Sequence, residues 1–418
     1  MRPVSRPVRQ RALVAAGAVT AVVAACISAP ASAQASPALQ EVMFVGNNWE
    51  GTATVIKARG DFARIGRINV IPDKDRRLAE IYLNPIKLIY FLGIRETVGE
   101  GHDQFVDDMY ATPDGTAVVA SRPSFADVVS IDLATGDVKW RFPVSGYRSD
   151  HMAVSPDGTR VAVSASTSNT VHVLDINSGR ELGKFTTGDK PHENIFSKDG
   201  RYLWNMSIGD VNNDFDAPWQ DFLKGDRKIT IADTSSFQVV KTIDMRTRLD
   251  AAGRSDLSDA VRPAALTPDD SKLYFQVSFF NGLAEYDVAT DKITRVKTLP
   301  KNPATSDDRT TYVNDSRHHG LSMSPDGTKL CVAGTMDDYA TVVDRATLTE
   351  GPLVPAAKPY WATVSGDGTA CVISESDADQ VTAISFATGQ KIVSVPVGDH
   401  PQRVRLAHIP ADWTGPTG

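Results

Sequence analysis

The sequence predicts an all-β fold: a seven-bladed β-propeller, closed by N- and C-terminal strands in one blade, with loop insertions on one face. Three observations predict it. A Ser/Thr-Pro-Asp-Gly phrase recurs between short apolar runs. A second phrase, an apolar run followed by Asp, two residues and a turn, comes after each copy. Each unit holds four strand-like runs on a period of roughly 40 residues, the signature of propeller blades.

The first phrase appears as Thr112-Pro113-Asp114-Gly115, Ser155-Pro156-Asp157-Gly158 and Ser324-Pro325-Asp326-Gly327. Weaker copies are Ser197-Lys198-Asp199-Gly200, Thr267-Pro268-Asp269-Asp270 and Ser365-Gly366-Asp367-Gly368. Pro presets φ, Asp bonds its own backbone and Gly accepts positive φ, so each copy reads as a tight hairpin. The second phrase is seen in Ile131-Asp132-Leu133-Ala134-Thr135-Gly136 and Leu174-Asp175-Ile176-Asn177-Ser178-Gly179. Six units follow, at about 105–145, 149–188, 192–247, 261–299, 318–355 and 360–398. Residues 41–72 supply three further strands and Gln402 to Ile409 a fourth, which together make the seventh blade and leave few open edges.

These phrases resemble the YVTN-type repeats of YncE-like propeller proteins, and similar repeats occur in the propeller subunits of bacterial amine dehydrogenases. The resemblance spans nearly all of residues 41–410 and implies the fold. It implies little about function, because propellers host many unrelated activities.

The N-terminus reads as a targeting segment, with residues 34–418 forming a single propeller domain. Arg2, Arg6, Arg9 and Arg11 precede an apolar stretch, Leu13 to Ile27, that is shorter than the ~20 residues a bilayer requires. Ala31-Ser32-Ala33 then offers a cleavage site, which makes residues 1–33 a signal peptide and the protein secreted. The alternative is a lipoprotein anchored at Cys26 within Val23-Ala24-Ala25-Cys26. Without residues 1–33 the net charge is −11, and no Lys/Arg-rich run remains, which argues against a nucleic-acid partner. Cys331 and Cys371 fall on strands of neighbouring repeats. Facing sheets stand ~10 Å apart, so these two are expected to be buried free thiols.

The hairpin turns are short, so their face is plain. Residues 73–104, 207–226, 248–260 and 300–317 are long connections, and all fall on the opposite face. Long loops gathered on a rigid scaffold point to a built site. Within 73–104, the 78–92 segment reads as two short apolar helices broken at Pro85. It is a lid, a cap on the propeller edge, or a surface for a protein partner.

Aligning the blades on the hairpin Ser/Thr brings out a ring at the tunnel mouth. The residues five and four positions earlier are Asp107-Asp108, Asp150-His151, His192-Glu193, Arg262-Pro263, His319-Gly320, Tyr360-Trp361 and Gln402-Arg403. His318 sits just before, and His102 and His400 lie slightly upstream. Histidines and carboxylates on converging strands suit a divalent metal or acid–base work near neutral pH. The metal set read from this ring is His151, His192 and His319, with Glu193 or His102 completing it. The catalytic set is His192 or Tyr360 as base, with Asp150 beside them and Arg262 and Arg403 for a carboxylate or a developing oxyanion. Tyr360 and Trp361 suit stacking on a sugar or aromatic ring. Because strand residues alternate, neighbours in the ring face the same side only where the strand start is irregular. The arrangement is similar to that of metal-bearing propeller families such as virginiamycin B lyases, without their motifs.

A second pattern, Asp210-x-Asn212-x-Asp214-x-Asp216 with Asp221 at the twelfth place, partly resembles a calcium loop. Phe215 stands where Gly is required, so it reads as a solvated acidic loop. The functional expectation is a secreted enzyme of lyase or isomerase type, metal-assisted, acting on a small molecule or oligosaccharide. The alternatives are a non-catalytic propeller that binds a ligand or partner, and a metal-dependent oxidoreductase.

Overall fold

A computed structural model describes residues 38–211 and 218–415. They form seven antiparallel sheets, six of four strands and one of five, arranged as a seven-bladed propeller. The closing blade orders Pro401–Pro410, Leu39–Asn47, Thr52–Lys57 and Arg64–Asn69, with Phe44 opposite Arg405. This is the closure expected from both ends of the chain. The segment read as a signal peptide, including Cys26, lies outside the described residues.

The hairpin phrase works by side-chain to backbone bonding. Asp157 Oδ1 accepts from the Thr159 amide at 3.1 Å, while Ser155 Oγ accepts from the Arg160 amide at 3.0 Å. Gly158 takes φ 71°, and Asp270 takes φ 56° at the place other copies give to glycine. Between blades the strands interlock through aliphatic faces, as where Val42, Val55 and Ile68 pack on Val118, Val129 and Ile131.

Two details depart from the expected pattern. The outer strand of blade six is split into Thr349–Glu350 and Val354–Pro355. Pro352 between them has no N–H to give the ladder. Secondly, Cys331 and Cys371 are joined in a disulfide, with Cα atoms 6.1 Å apart, so the expectation of free thiols is corrected. The ~10 Å spacing holds for sheets packed through ordinary side chains. Here blades six and seven meet through the small residues Ala333, Ala340 and Ala362, which let the two strands approach.

The insertions pack together over one face. Residues 73–104 hold helix α1, Lys74–Tyr82, and helix α2, Pro85–Glu96. Pro85 is the first residue of α2, and Asn84 caps it by accepting from the Ile86 and Lys87 amides at 3.1 Å. Asp73, before α1, pairs with the fully buried Arg122 of blade two, which also binds Asp127. A third helix, α3, covers Met245–Ala251. Val98, Ile208, Val211 and Ala260, from three different insertions, form one apolar cluster, and Asn314 Nδ2 donates to the Val98 carbonyl at 3.2 Å. Of the calcium-like pattern, Asn212, Asp214 and Asp216 lie outside the described residues, and Asp210 pairs with Lys190 at 3.1 Å. No described helix is long and apolar enough to cross a membrane.

Candidate functional site

The innermost strands do begin irregularly, and at the ring positions. Register shifts fall between Ser149 and Met152, Pro191 and Asn194, Val261 and Ala264, and Pro359 and Trp361. Such bulges re-aim side chains. Consequently Asp107, Asp150, His192, Arg262, Tyr360 and Gln402, all from the fifth position before the hairpin, line one cavity of about 400 Å³. His151 and Arg403, from the fourth position, join them. Glu193 and Trp361 instead line a second cavity, of about 630 Å³, that opens among the hairpin turns of the plain face.

Three histidines converge at the boundary. His151, His192 and His319 each offer a ring nitrogen, and these nitrogens lie within 4.8 Å of one another. All three side chains are buried. Burial, reinforced for His151 and His319 first by Arg403 and for His192 first by His319 itself, holds their pKa well below the usual imidazole value. They are therefore neutral, the form that ligates metals. His192 Nδ1 and His319 Nε2 have no hydrogen-bond partner among the described residues. The tautomer of His151 follows from its neighbours. Arg403 can only donate, so His151 Nε2 accepts from it and Nδ1–H donates to Glu193 at 2.7 Å. His192 and His319 each keep an unpartnered ring nitrogen, and with His151, whose Nε2 would exchange Arg403 for the ion, they are close enough to hold a divalent transition-metal ion.

The surrounding charges are also buried. Arg403 Nε lies 3.3 Å from Asp107, and Arg148 pairs with Asp150. Burial raises Asp107 to about 7, against the opposing pull of Arg403, and Glu193 to about 8. Burial also pushes Tyr360 up to about 12, so its hydroxyl stays protonated at neutral pH. Arg262 donates to Ser278 Oγ at 3.0 Å and to the Asn314 carbonyl.

Several sequence-stated partners lie elsewhere. His102 is exposed and stacks on Trp49, ring centres 3.7 Å apart, with His400 on the other face of the same indole. It belongs to the loop before blade two and does not reach the cluster. His318 turns away to Asp337, 3.0 Å distant, because successive residues face opposite sides. Glu193 backs His151 from the far side instead of joining the three imidazoles. Trp361 is covered by Arg403 and Arg405, 4.2 and 4.8 Å from its ring centre, so it is not an open stacking platform. Sequence reasoning missed Arg148, which has no place in the aligned ring, and passed over Asp107, which the alignment did contain.

No protein-family model matches the chain, and no curated protein does. Among solved structures it is similar to the hydrazine synthase of Kuenenia stuttgartiensis, with a TM-score of 0.55 and 17% identity over 71% of this chain and 88% of that one. At that identity the likeness shows the propeller fold alone.

Proposed function

We propose that the mouth cavity is the active site of a metal-assisted lyase or isomerase acting on a small molecule. The observation that carries this reading is the set of three buried, neutral histidines, of which His151 and His192 line a cavity that also holds a carboxyl poised near neutrality. A bound divalent ion would supply Lewis-acid polarisation of a substrate oxygen. His151, His192 and His319 would hold it, with Glu193 fixing His151 from behind. Asp107, raised to about 7, can give or take a proton at neutral pH, which is what elimination and isomerisation demand. Arg403 and Arg262 stand where developing negative charge would need stabilising. Secretion by cleavage after Ala33 remains part of this proposal. A metal-dependent oxidoreductase would use the same three ligands and differ in the metal taken up.

The test is elemental analysis of the purified protein after metal reloading, beside a His151→Ala/His192→Ala variant. About one equivalent of transition metal, lost in the variant, is expected. No metal in either would end the metal-assisted reading. A second reading, a partner-binding propeller, is favoured by the exposed Leu83, Ile86 and Ile89 beside the cavity, with Leu83 85% exposed. Deleting residues 78–92 and losing a partner while retaining metal would support it.

A further inference from the structure

Helix α2 stands between two cavities. Ile89, Tyr90, Gly93 and Ile94 roof the mouth cavity. Lys87 and Phe91, four residues apart and so on one side of the helix, line a separate cavity of about 160 Å³ between α1, α2 and blade two. We propose that this second cavity binds a small inorganic oxyanion, phosphate or sulfate, which fastens the helical roof to blade two. The proposal does not depend on the metal-assisted reading of the mouth cavity.

Donors from three elements meet there. Arg77 of α1, Lys87 of α2 and Arg141 of the outer strand of blade two line the cavity, against the Glu80 carboxylate. Arg77 is buried, and its Nη2 donates to Glu80 Oε1 at 2.6 Å while its Nε faces Asp73 Oδ2 at 3.1 Å. Its Nη1 has no hydrogen-bond partner among the described residues. A buried charged donor left unpaired is costly, which a ligand in the cavity would relieve. Arg141 gives Nε to Asp127, and its two terminal nitrogens bond no described residue. Lys87 bonds Asn84 through its amide, and its ammonium has no described partner. Ser124 Oγ, also on the wall, accepts from the Gln104 amide at 2.8 Å, which leaves its O–H to donate.

The charge balance favours an anion. Arg76, Arg77, Lys87, Arg122 and Arg141 stand against Asp73, Glu80 and Asp127, so five cations meet three carboxylates. Burial and then the Arg141 guanidinium hold Arg77 below the ordinary arginine value, the mark of two like charges that face each other. At about 160 Å³ the cavity is smaller than the ~300 Å³ at which small-molecule pockets begin, so it suits an ion better than a metabolite. A tetrahedral oxyanion presents acceptors in several directions and can bridge donors from α1, α2 and the blade at once. A halide offers one centre and cannot.

Calorimetric titration of phosphate, sulfate, glycerol 1-phosphate and chloride into the whole protein, in a buffer free of oxyanions, tests this. Phosphate or sulfate is expected to bind at least about tenfold more tightly than chloride, the scale of one charge-assisted hydrogen bond. Glycerol 1-phosphate should bind more weakly than phosphate, because the cavity is small. Hydrogen exchange locates the site. At an anion concentration about ten times its Kd, amides of residues 74–96 that exchange by release of the helices should slow about tenfold, with the inner strands unchanged. Arg141→Gln leaves Asp127 paired with Arg122, and should weaken the anion about tenfold and remove that protection. Arg141→Lys should restore part of both. Should the Arg141 variants fail to fold by circular dichroism, Lys87→Gln, at an exposed position, replaces them with an expected severalfold loss. Equal binding of oxyanions and chloride, tighter binding of glycerol 1-phosphate, or protection that falls away from residues 74–96 overturns the proposal. So does an affinity that these substitutions leave unchanged, since the anion would then sit elsewhere.

Discussion

The Nδ1 atom of His151 lies 2.7 Å from a Glu193 carboxyl oxygen, on the side of the ring away from the mouth cavity. That contact fixes which nitrogen carries the proton and leaves Nε2 as the lone-pair nitrogen, which here accepts from Arg403 and lies within 4.8 Å of ring nitrogens of His192 and His319. Outer-shell carboxylates of this kind typically contribute ~10–100-fold to metal affinity. Glu193→Gln is expected to weaken zinc binding by that factor without abolishing it, whereas His192→Ala should abolish it. Competition with a chromogenic chelator reads both. Equal affinity in Glu193→Gln and wild type would show that the carboxylate does not orient the ligand.

The Cys331–Cys371 bond closes a loop of 40 residues between two neighbouring blades. Chain-entropy arguments give a bond over such a loop about 4 kcal/mol of stabilisation, most of it through the unfolded state. The Cys331→Ser/Cys371→Ser variant should therefore unfold at clearly lower denaturant. The midpoint of wild type in a strong reductant should fall to match it. A variant that unfolds with the wild-type midpoint would mean the bond is not formed in the protein as isolated.

Much of this architecture was legible because the repeat is local. A hairpin such as Ser155 to Arg160 is specified by four residues that bond one another, so its sequence carries its own geometry. The ring was legible for the same reason. Asp107, Asp150, His192, Arg262, Tyr360 and Gln402 occupy one position of the repeat and meet in one cavity. What was not legible depends on distances between blades. Cys331 and Cys371 come together because alanines thin the packing around them, and no count along the chain reveals that. His318 and His319 are adjacent in sequence, yet one faces Asp337 and the other His151 and His192, because successive residues face opposite sides. The role of α2 as a roof was equally hidden, since an apolar helix suits a lid and a docking surface alike.

His400 gives a pH-dependent signature outside the three-histidine set. It is buried against Trp49, and burial together with Lys358 and His102 lowers its pKa to about 3. Unfolded, it titrates near 6.5. The folded state thus refuses a proton that the unfolded state accepts. Its contribution is complete above pH 6.5 and is lost as the pH falls toward 3. The rate of loss is about 1.4 kcal/mol per pH unit. His400 also has φ 52°, a conformation asparagine tolerates. In His400→Asn the fall of stability between pH 6 and pH 4, measured by urea denaturation, should be shallower by that slope. Parallel curves for the two proteins would show that His400 is protonated in the native state over this range.

Asp73 ties the helical roof to the propeller. Its carboxylate pairs with Arg122 of blade two and lies 3.1 Å from Arg77 Nε of α1, and both arginines are buried. Arg122 keeps Asp127 if Asp73 is removed, so the blade retains its own ion pair. Arg77 would keep only Glu80, a half-exposed partner. Breaking a buried pair from one side typically costs ~3–5 kcal/mol. Here that cost should fall on the attachment of α1 and α2, because the helices pack in a cluster of their own, around Ile81 and Phe91, apart from the cores between the blades. In Asp73→Ala, backbone amides of residues 74–96 should exchange with deuterium about a hundredfold faster or more, with the inner strands unchanged. Metal affinity should also be unchanged, since His151, His192 and His319 are carried by the blades and not by the roof. Uniformly faster exchange across all seven blades would instead make Asp73 part of the propeller's global stability and remove the case for a separately hinged roof.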